Sequence, residues 1–179
     1  MTLDIYTRHL SSLLAAISTD QIDVQNILKI VGNMAAHILD IHFVTISSFD
    51  ETTGEAERLY SSRPMEYPVS GRKPVNQTWW SEWVMKQKRT FCANSSEEIA
   101  EVFYDHKEIF QLGCESIVNI PIVFKGSVIA TINCLGKAGH FTEDRVKESE
   151  LLKAPATLAF LALRTCRPPH SAVKLLHDQ

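Results

Sequence analysis

Glycine is scarce in this chain, at seven residues in 179. Backbone cradles for phosphate therefore have little material, and neither a Gly-x-Gly-x-x-Gly fingerprint nor a Walker loop occurs. No Gly-x-Ser-x-Gly elbow is present to expose a serine nucleophile. The four cysteines, Cys92, Cys114, Cys134 and Cys166, lie 20 or more residues apart without a Cys-x-x-Cys pair. That spacing gives neither a zinc ribbon nor a disulfide framework, and it reads as reduced, mostly buried thiols. The seven histidines show no His-x-x-x-His or His-Glu-x-x-His spacing, so no metal site and no cofactor are expected. Basic blocks are missing too. With 18 Lys and Arg against 21 Asp and Glu, the chain carries a net charge of -3, which speaks against nucleic acid, where phosphate contacts supply much of the affinity. The longest early apolar run, Leu13 to Ile17, is far short of the roughly 18 residues a membrane span needs. Asp4 and Arg8 stand near the N-terminus in helical surroundings, where a leader would carry a basic stretch followed by an apolar one. Cytoplasmic residence and no membrane partner are the resulting expectations.

What remains is the composition of one globular domain, with 45% hydrophobic and 22% charged residues. Leu3, Tyr6, Leu10, Leu13 and Ile17 recur at helical intervals, giving a first helix with one apolar stripe. Ser18 and Gln21 resemble a capping box for a second helix reaching about residue 40, its buried face formed by Ile27, Leu28, Val31, Met34, Ala35 and Ile38. From His42 to Ser62 the period changes to two around a polar turn at Gly54, which predicts a hairpin. Pro64, Pro68, Gly71 and Pro74 mark residues 63–75 as loop.

All three tryptophans, Trp79, Trp80 and Trp83, then fall within a helix predicted over about 77–88. Residues 89–93 read as a short strand, and Ser95 with Glu98 caps a helix running to about Asp105. Two β-branched runs flank Lys125-Gly126, the strongest hairpin signal in the chain, and Pro121 places its strand at an edge or a bulge. Thr142 caps a C-terminal helix that Pro155 kinks and the Arg-Pro-Pro at 167–169 ends. Antiparallel pairs with helices gathered at the ends make the fold class α+β, with a mainly antiparallel central sheet.

Alternation through residues 116–136 gives each strand one apolar face and one dotted with polar groups, Asn119 on the first strand and Thr131 and Asn133 on the second. Buried amides need partners, so this polar spot points to a bound ligand, a water, or ties that hold the 63–75 loop.

The run from Leu112 to Val146 is similar to the GAF domain family, a relative of PAS-type sensor folds. It carries a Ser-started strand ending Ile-Pro-Ile, a Lys-Gly turn, a second strand and a Phe-Thr-acidic helix start. The likeness extends back through the tryptophan helix and covers residues 20–164. It implies a central sheet with helices on both sides, and terminal helices packed together and paired across a two-fold axis. The implied organisation is an N-terminal dimerisation helix at 1–19, a GAF-like domain at 20–166 and a tail at 167–179.

The family's functions range over cyclic nucleotides, tetrapyrroles, haem and amino acids. Its cyclic-nucleotide branch carries an Asn-Lys pair, a Phe, and Asp-Glu four residues later. Here stand Gly136-Lys137, Phe141, and then Arg145-Val146. Bilin attachment uses a Cys-His pair, and no cysteine here precedes His. In the free-methionine sulfoxide reductases the nucleophilic cysteine lies about a dozen positions before the strand proline, whereas Cys114 lies seven before Pro121 and Phe110 fills the position that matters.

By the same likeness, the tryptophan helix and the helix after it roof a chamber over the polar sheet face. Trp83 is expected to pack inward with Val84 while Trp79 or Trp80 reaches the chamber, a purely structural trio being the alternative. The candidate ligand contacts are Tyr60, Trp79, Trp80, His106, Asn119, Thr131 and Asn133. The leading expectation is a non-enzymatic, homodimeric sensor domain for a small organic ligand. The alternatives are a thiol reductase on a small amino-acid-like substrate and a degenerate fold kept for dimerisation.

Overall fold

The computed structural model describes residues 2–75 and 77–166; the expected tail at 167–179 and its Arg-Pro-Pro stop lie outside the described residues. Helix α1 (Thr2–Ile17) is followed by α2 (Val24–Leu39). The apolar stripe of α1 turns toward the core at Leu13, with Tyr6 and Ile17 packed beside it, whereas Leu3 remains exposed. All six positions expected on the buried face of α2 are buried. Its cap differs from the sequence expectation. Ser18 bonds back to the Leu14 carbonyl and so closes α1, while the Asp23 carboxylate, one turn closer to α2, accepts the Asn26 N–H at 3.1 Å.

A histidine pair clamps these helices, with His9 Nε2 and His37 Nδ1 2.9 Å apart and one ring donating to the other. Burial, then His37 and Arg8, hold His9 below its ordinary value. The unfolded chain therefore takes up this proton more readily than the folded one. The clamp's contribution should be complete above about pH 6.5 and fade as pH falls below it. Denaturant unfolding between pH 5 and 8 (about) should show that slope in the native chain and a flatter one in His9→Gln.

Six strands form one sheet in the order β3-β2-β1-β6-β5-β4. They are β1 (Phe43–Asp50), β2 (Glu55–Ser61), β3 (Lys73–Pro74), β4 (Phe91–Ala93), β5 (Ser116–Phe124) and β6 (Ser127–Gly136), and every pairing is antiparallel. Lys125 and Gly126 both have positive φ, the twist a tight β5–β6 hairpin demands. Pro121 sits where β4 has already ended, since β4 pairs only with residues 117–119, so it removes no bond from that ladder. The loop expected at 63–75 contributes the two-residue β3, which pairs with Glu55 and Ala56 at the sheet edge.

The two sheet faces pack differently. Val44, Ile46, Val118, Ile120, Ala130 and Ile132 face α1, α2 and the C-terminal helices in the larger core. Phe43, Ile117 and Leu135 face a smaller cluster with Val84, Phe91, Ile99 and Ile109. Over this second face lie three short helices. Helix α3 (Trp79–Ser81), capped by Thr78, widens into a π-helical turn at Glu82–Lys86 and stops at Lys88, whose φ is +59°. Helix α4 (Ser96–Val102) begins at the expected Ser95 cap but ends at Phe103, where the backbone becomes extended, and a separate α5 (His106–Gln111) follows.

At the C-terminus, Thr142 caps α6 (Glu143–Ser149) as expected. A single 3-10 turn, Glu150–Leu152, joins it to α7 (Lys153–Cys166). The change of helix type lies one turn before Pro155, where the ring has no N–H to offer and crowds the preceding turn.

Candidate functional site

A cavity of about 490 Å³ opens between the second sheet face and α3, α4 and α5. Its floor includes Thr45, Ser47, Asn119, Thr131 and Asn133; Trp80, Phe103 and Ile109 form the roof, and Arg58, Tyr67, Lys73 and Asp105 stand around the rim. Strand register makes the floor. Thr45 pairs with Asn133 and Asn133 with Asn119, so three polar residues lie side by side across β1, β6 and β5.

These groups form a directed chain. The Trp80 indole N–H donates to Asn119 Oδ1 at 2.9 Å, Asn119 Nδ2 donates to Asn133 Oδ1 at 2.8 Å, and Asn133 Nδ2 donates to Thr45 Oγ1 at 3.1 Å. An indole nitrogen can only donate, so Trp80 fixes which way each amide points. The amides thus hold Trp80, each other and Thr45, rather than the 63–75 segment.

At the rim, the Tyr67 hydroxyl donates to Asp105 Oδ2 at 2.8 Å. Burial, reinforced by Asp105, pushes the Tyr67 phenol far above its ordinary value, so it remains a donor at any physiological pH. The Arg58 guanidinium lies 3.8 Å from the Tyr67 ring centroid and donates to the Pro68 carbonyl at 2.9 Å. Residues 67–68 are thereby pinned to both β2 and the start of α5.

Of the residues expected from sequence to contact a ligand, Trp80, Asn119, Thr131 and Asn133 line the cavity, and Tyr60, Trp79 and His106 do not. Tyr60 faces the opposite side of the sheet. The β1–β2 register pairs Ile46 with Tyr60 and Ser47 with Arg58, so Leu59 is the extra residue of a bulge. This turns Tyr60 onto the helix side, its ring against Gly32 so closely that a Cβ there would lie 2.4 Å from Tyr60 Cε1. Trp79 is 59% exposed and stacks on Trp83 at 5.5 Å between centroids. His106 Nδ1 bonds the Phe103 carbonyl at 2.8 Å and its ring leans on Phe110, which joins α4 to α5. Trp83 is partly buried beside the fully buried Val84 and donates to the Thr90 carbonyl. Arg58, Tyr67, Lys73 and Asp105 were not expected; the loop signal at 63–75 masked the one aromatic, Tyr67, that reaches the site.

Three of the four thiols are raised above their ordinary value. Burial pushes Cys92 up to about 11, helped by Glu98, and burial also raises Cys114 and the wholly enclosed Cys134. All four cysteines are free, and Cys166 is exposed. Among the described residues no group of three or more His, Cys, Asp or Glu could hold a metal, and no helix is long and apolar enough to cross a membrane.

The sequence model of the GAF domain matches residues 21–160. No curated protein matches the chain. Among solved structures, the chain is similar to the GAF domain of an Acinetobacter phosphoenolpyruvate-protein phosphotransferase, at a TM-score of 0.70 and 12% identity over 93% of this chain and 96% of that one. It is similar to the A. aeolicus nlh2 GAF domain in an inactive state, at 0.67 and 11% identity over 92% and 99% of the two chains. A third likeness is to the GAF domain of a Bacillus halodurans two-component sensor histidine kinase, at 0.58 and 18% identity over 78% and 97%. With the profile covering most of the chain and the six-stranded antiparallel sheet in place, the protein belongs to the GAF domain family.

Proposed function

We propose that this GAF domain is a non-enzymatic sensor that holds a small organic molecule between Trp80 and the Asn119–Asn133–Thr45 row. One observation carries the reading. A cavity of about 490 Å³, roofed by aromatic side chains over a polar floor, has the size and lining of a small-molecule site. A degenerate scaffold would fill that space with its own side chains. The raised thiols speak against the reductase reading, because a thiolate is the nucleophile such chemistry needs.

The test is a melting-temperature screen with nucleotides, amino acids, aromatic acids and haem. A ligand at about 100 times its Kd adds about 2.7 kcal/mol, or roughly 5–10 °C for a domain of this size. Thr131→Phe, which places a ring in the cavity, should abolish the response. Absence of any shift across the screen leaves the scaffold reading in its place.

The output side of the proposal is a homodimer formed through the terminal helices, with ligand binding coupled to them by population shift. Its support is the apolar surface that α1 leaves uncovered, at Leu3 (75% exposed) and Leu14 (46%). Light scattering should report a dimer that Leu3→Glu with Leu14→Glu converts to monomer; a native monomer contradicts this part.

A further inference from the structure

The hydrogen-bonding groups and the charges of the cavity together favour one sign of charge in what it holds. Trp80 starts the chain as a donor, so each amide oxygen in the row is already engaged, by Trp80 or by Asn119. Each of these oxygens keeps a second lone pair, and the row also has hydrogen to offer: one N–H on each of Asn119 and Asn133, and the hydroxyl proton of Thr45, whose oxygen accepts from Asn133. A second polar row runs parallel to the first, since Ser47 pairs with Arg58 on one side and with Thr131 on the other. Thr131 is only 1% exposed and lines the cavity, and its hydroxyl has no hydrogen-bond partner among the described residues. No buried side-chain nitrogen or oxygen among the described residues lacks a partner, so this hydroxyl is open to the cavity, where it can meet an occupant.

The charges agree with this polarity. Arg58 and Lys73 are the cations on the wall, against the single carboxylate of Asp105, and Asp105 Oδ2 is already occupied by the Tyr67 hydroxyl. Arg58 spends one N–H on Pro68 and lies flat on Tyr67, a posture that leaves the rest of its fork to meet a planar oxyanion. The remaining contacts, chiefly Trp80 and Phe103, offer ring faces and edges.

We infer that the ligand class is an aromatic carboxylate, its carboxyl group taken by Arg58 and the donor floor and its ring held under Trp80 and Phe103. This rests on the sensor reading above and adds the sign of the ligand's charge. A neutral amide brings one acceptor oxygen and no charge to Arg58 and Lys73 where a carboxylate brings two oxygens and a full charge, and an ammonium presents charge of the wrong sign.

The experiment is calorimetric titration of the native protein with two matched series: benzoate, benzamide and benzylamine, and indole-3-acetate, indole-3-acetamide and tryptamine. In at least one series the acid should bind roughly 10-fold or more tightly than its amide, with the amine weakest, because charge-assisted bonds are the stronger ones. Arg58→Gln should remove that preference, and the exposed-rim variant Lys73→Gln should reduce it without touching the Arg58–Tyr67 packing. Amide or amine binding as tight as the acid overturns the carboxylate assignment and leaves the sensor reading standing. An acid preference that survives both variants overturns the roles of Arg58 and Lys73. Binding by no member of either series overturns the assignment as well, and the broader melting screen then decides the sensor reading separately.

Discussion

Phe141→Ala is expected to lower the unfolding free energy by about 3–5 kcal/mol, the cost of an emptied aromatic site in a close-packed core. Phe141 is 1% exposed within the larger core. Its backbone is locked on both sides by one side chain: Asn94 Nδ2 donates to the Phe141 carbonyl at 2.8 Å, and the Phe141 N–H donates to Asn94 Oδ1 at 3.0 Å. With its backbone fixed to the segment after β4, residue 141 cannot move to close the void, so the upper part of that range applies. Thermal unfolding should shift down by roughly 6–20 °C at this chain length. A change of under about 1 kcal/mol would mean that the junction between the sheet and α6 is not packed as described.

Asn133→Leu is the second large effect, expected at about 2–4 kcal/mol. The substitution removes two bonds at once and strands the Asn119 amide on one side and the Thr45 hydroxyl on the other. Asn119 is 2% exposed and Thr45 3%, so neither can turn to bulk water. Removing one member of a buried pair costs more than removing both, so the double variant Asn119→Leu/Asn133→Leu should be less destabilised than the sum of the two single variants. Denaturant melts of the three proteins measure this directly. Strict additivity would show that the amides do not act as one network.

These residues also mark how far the sequence could be read. Asn119, Thr131 and Asn133 were visible because β5 from Ser116 to Ile122 and β6 from Ala130 to Gly136 pair without interruption, the one irregularity lying nearer the turn at Ile129, so parity alone assigns each to a face. Tyr60 was misplaced for the converse reason. The bulge that reverses its parity lies at Leu59, where no glycine or proline announces it. The break between α4 and α5 was nearly as silent: Phe103 leaves the helical region within Val102–Asp105, a run of weak helix formers with no glycine or proline to mark the stop. Trp80 could be narrowed only to one of two adjacent tryptophans, since a π-helical turn downstream shifts the angular spacing that a helical wheel assumes. Arg58, Tyr67 and Asp105 meet across 47 residues of chain, from β2 to the start of α5, and no local pattern encodes that encounter.

The chamber itself can be interrogated through its roof. The three indole N–H groups give separate signals in a proton–nitrogen correlation spectrum, and each has a distinct environment: Trp80 bonds Asn119, Trp83 bonds Thr90, and Trp79 is exposed on the outer side. Titration with an aromatic carboxylate that raises the melting temperature should move the Trp80 indole signal together with the Asn119 and Asn133 side-chain amides, and leave Trp79 and Trp83 in place. Movement of Trp79 or Trp83 with Trp80 unchanged would put the ligand outside the cavity and contradict the account.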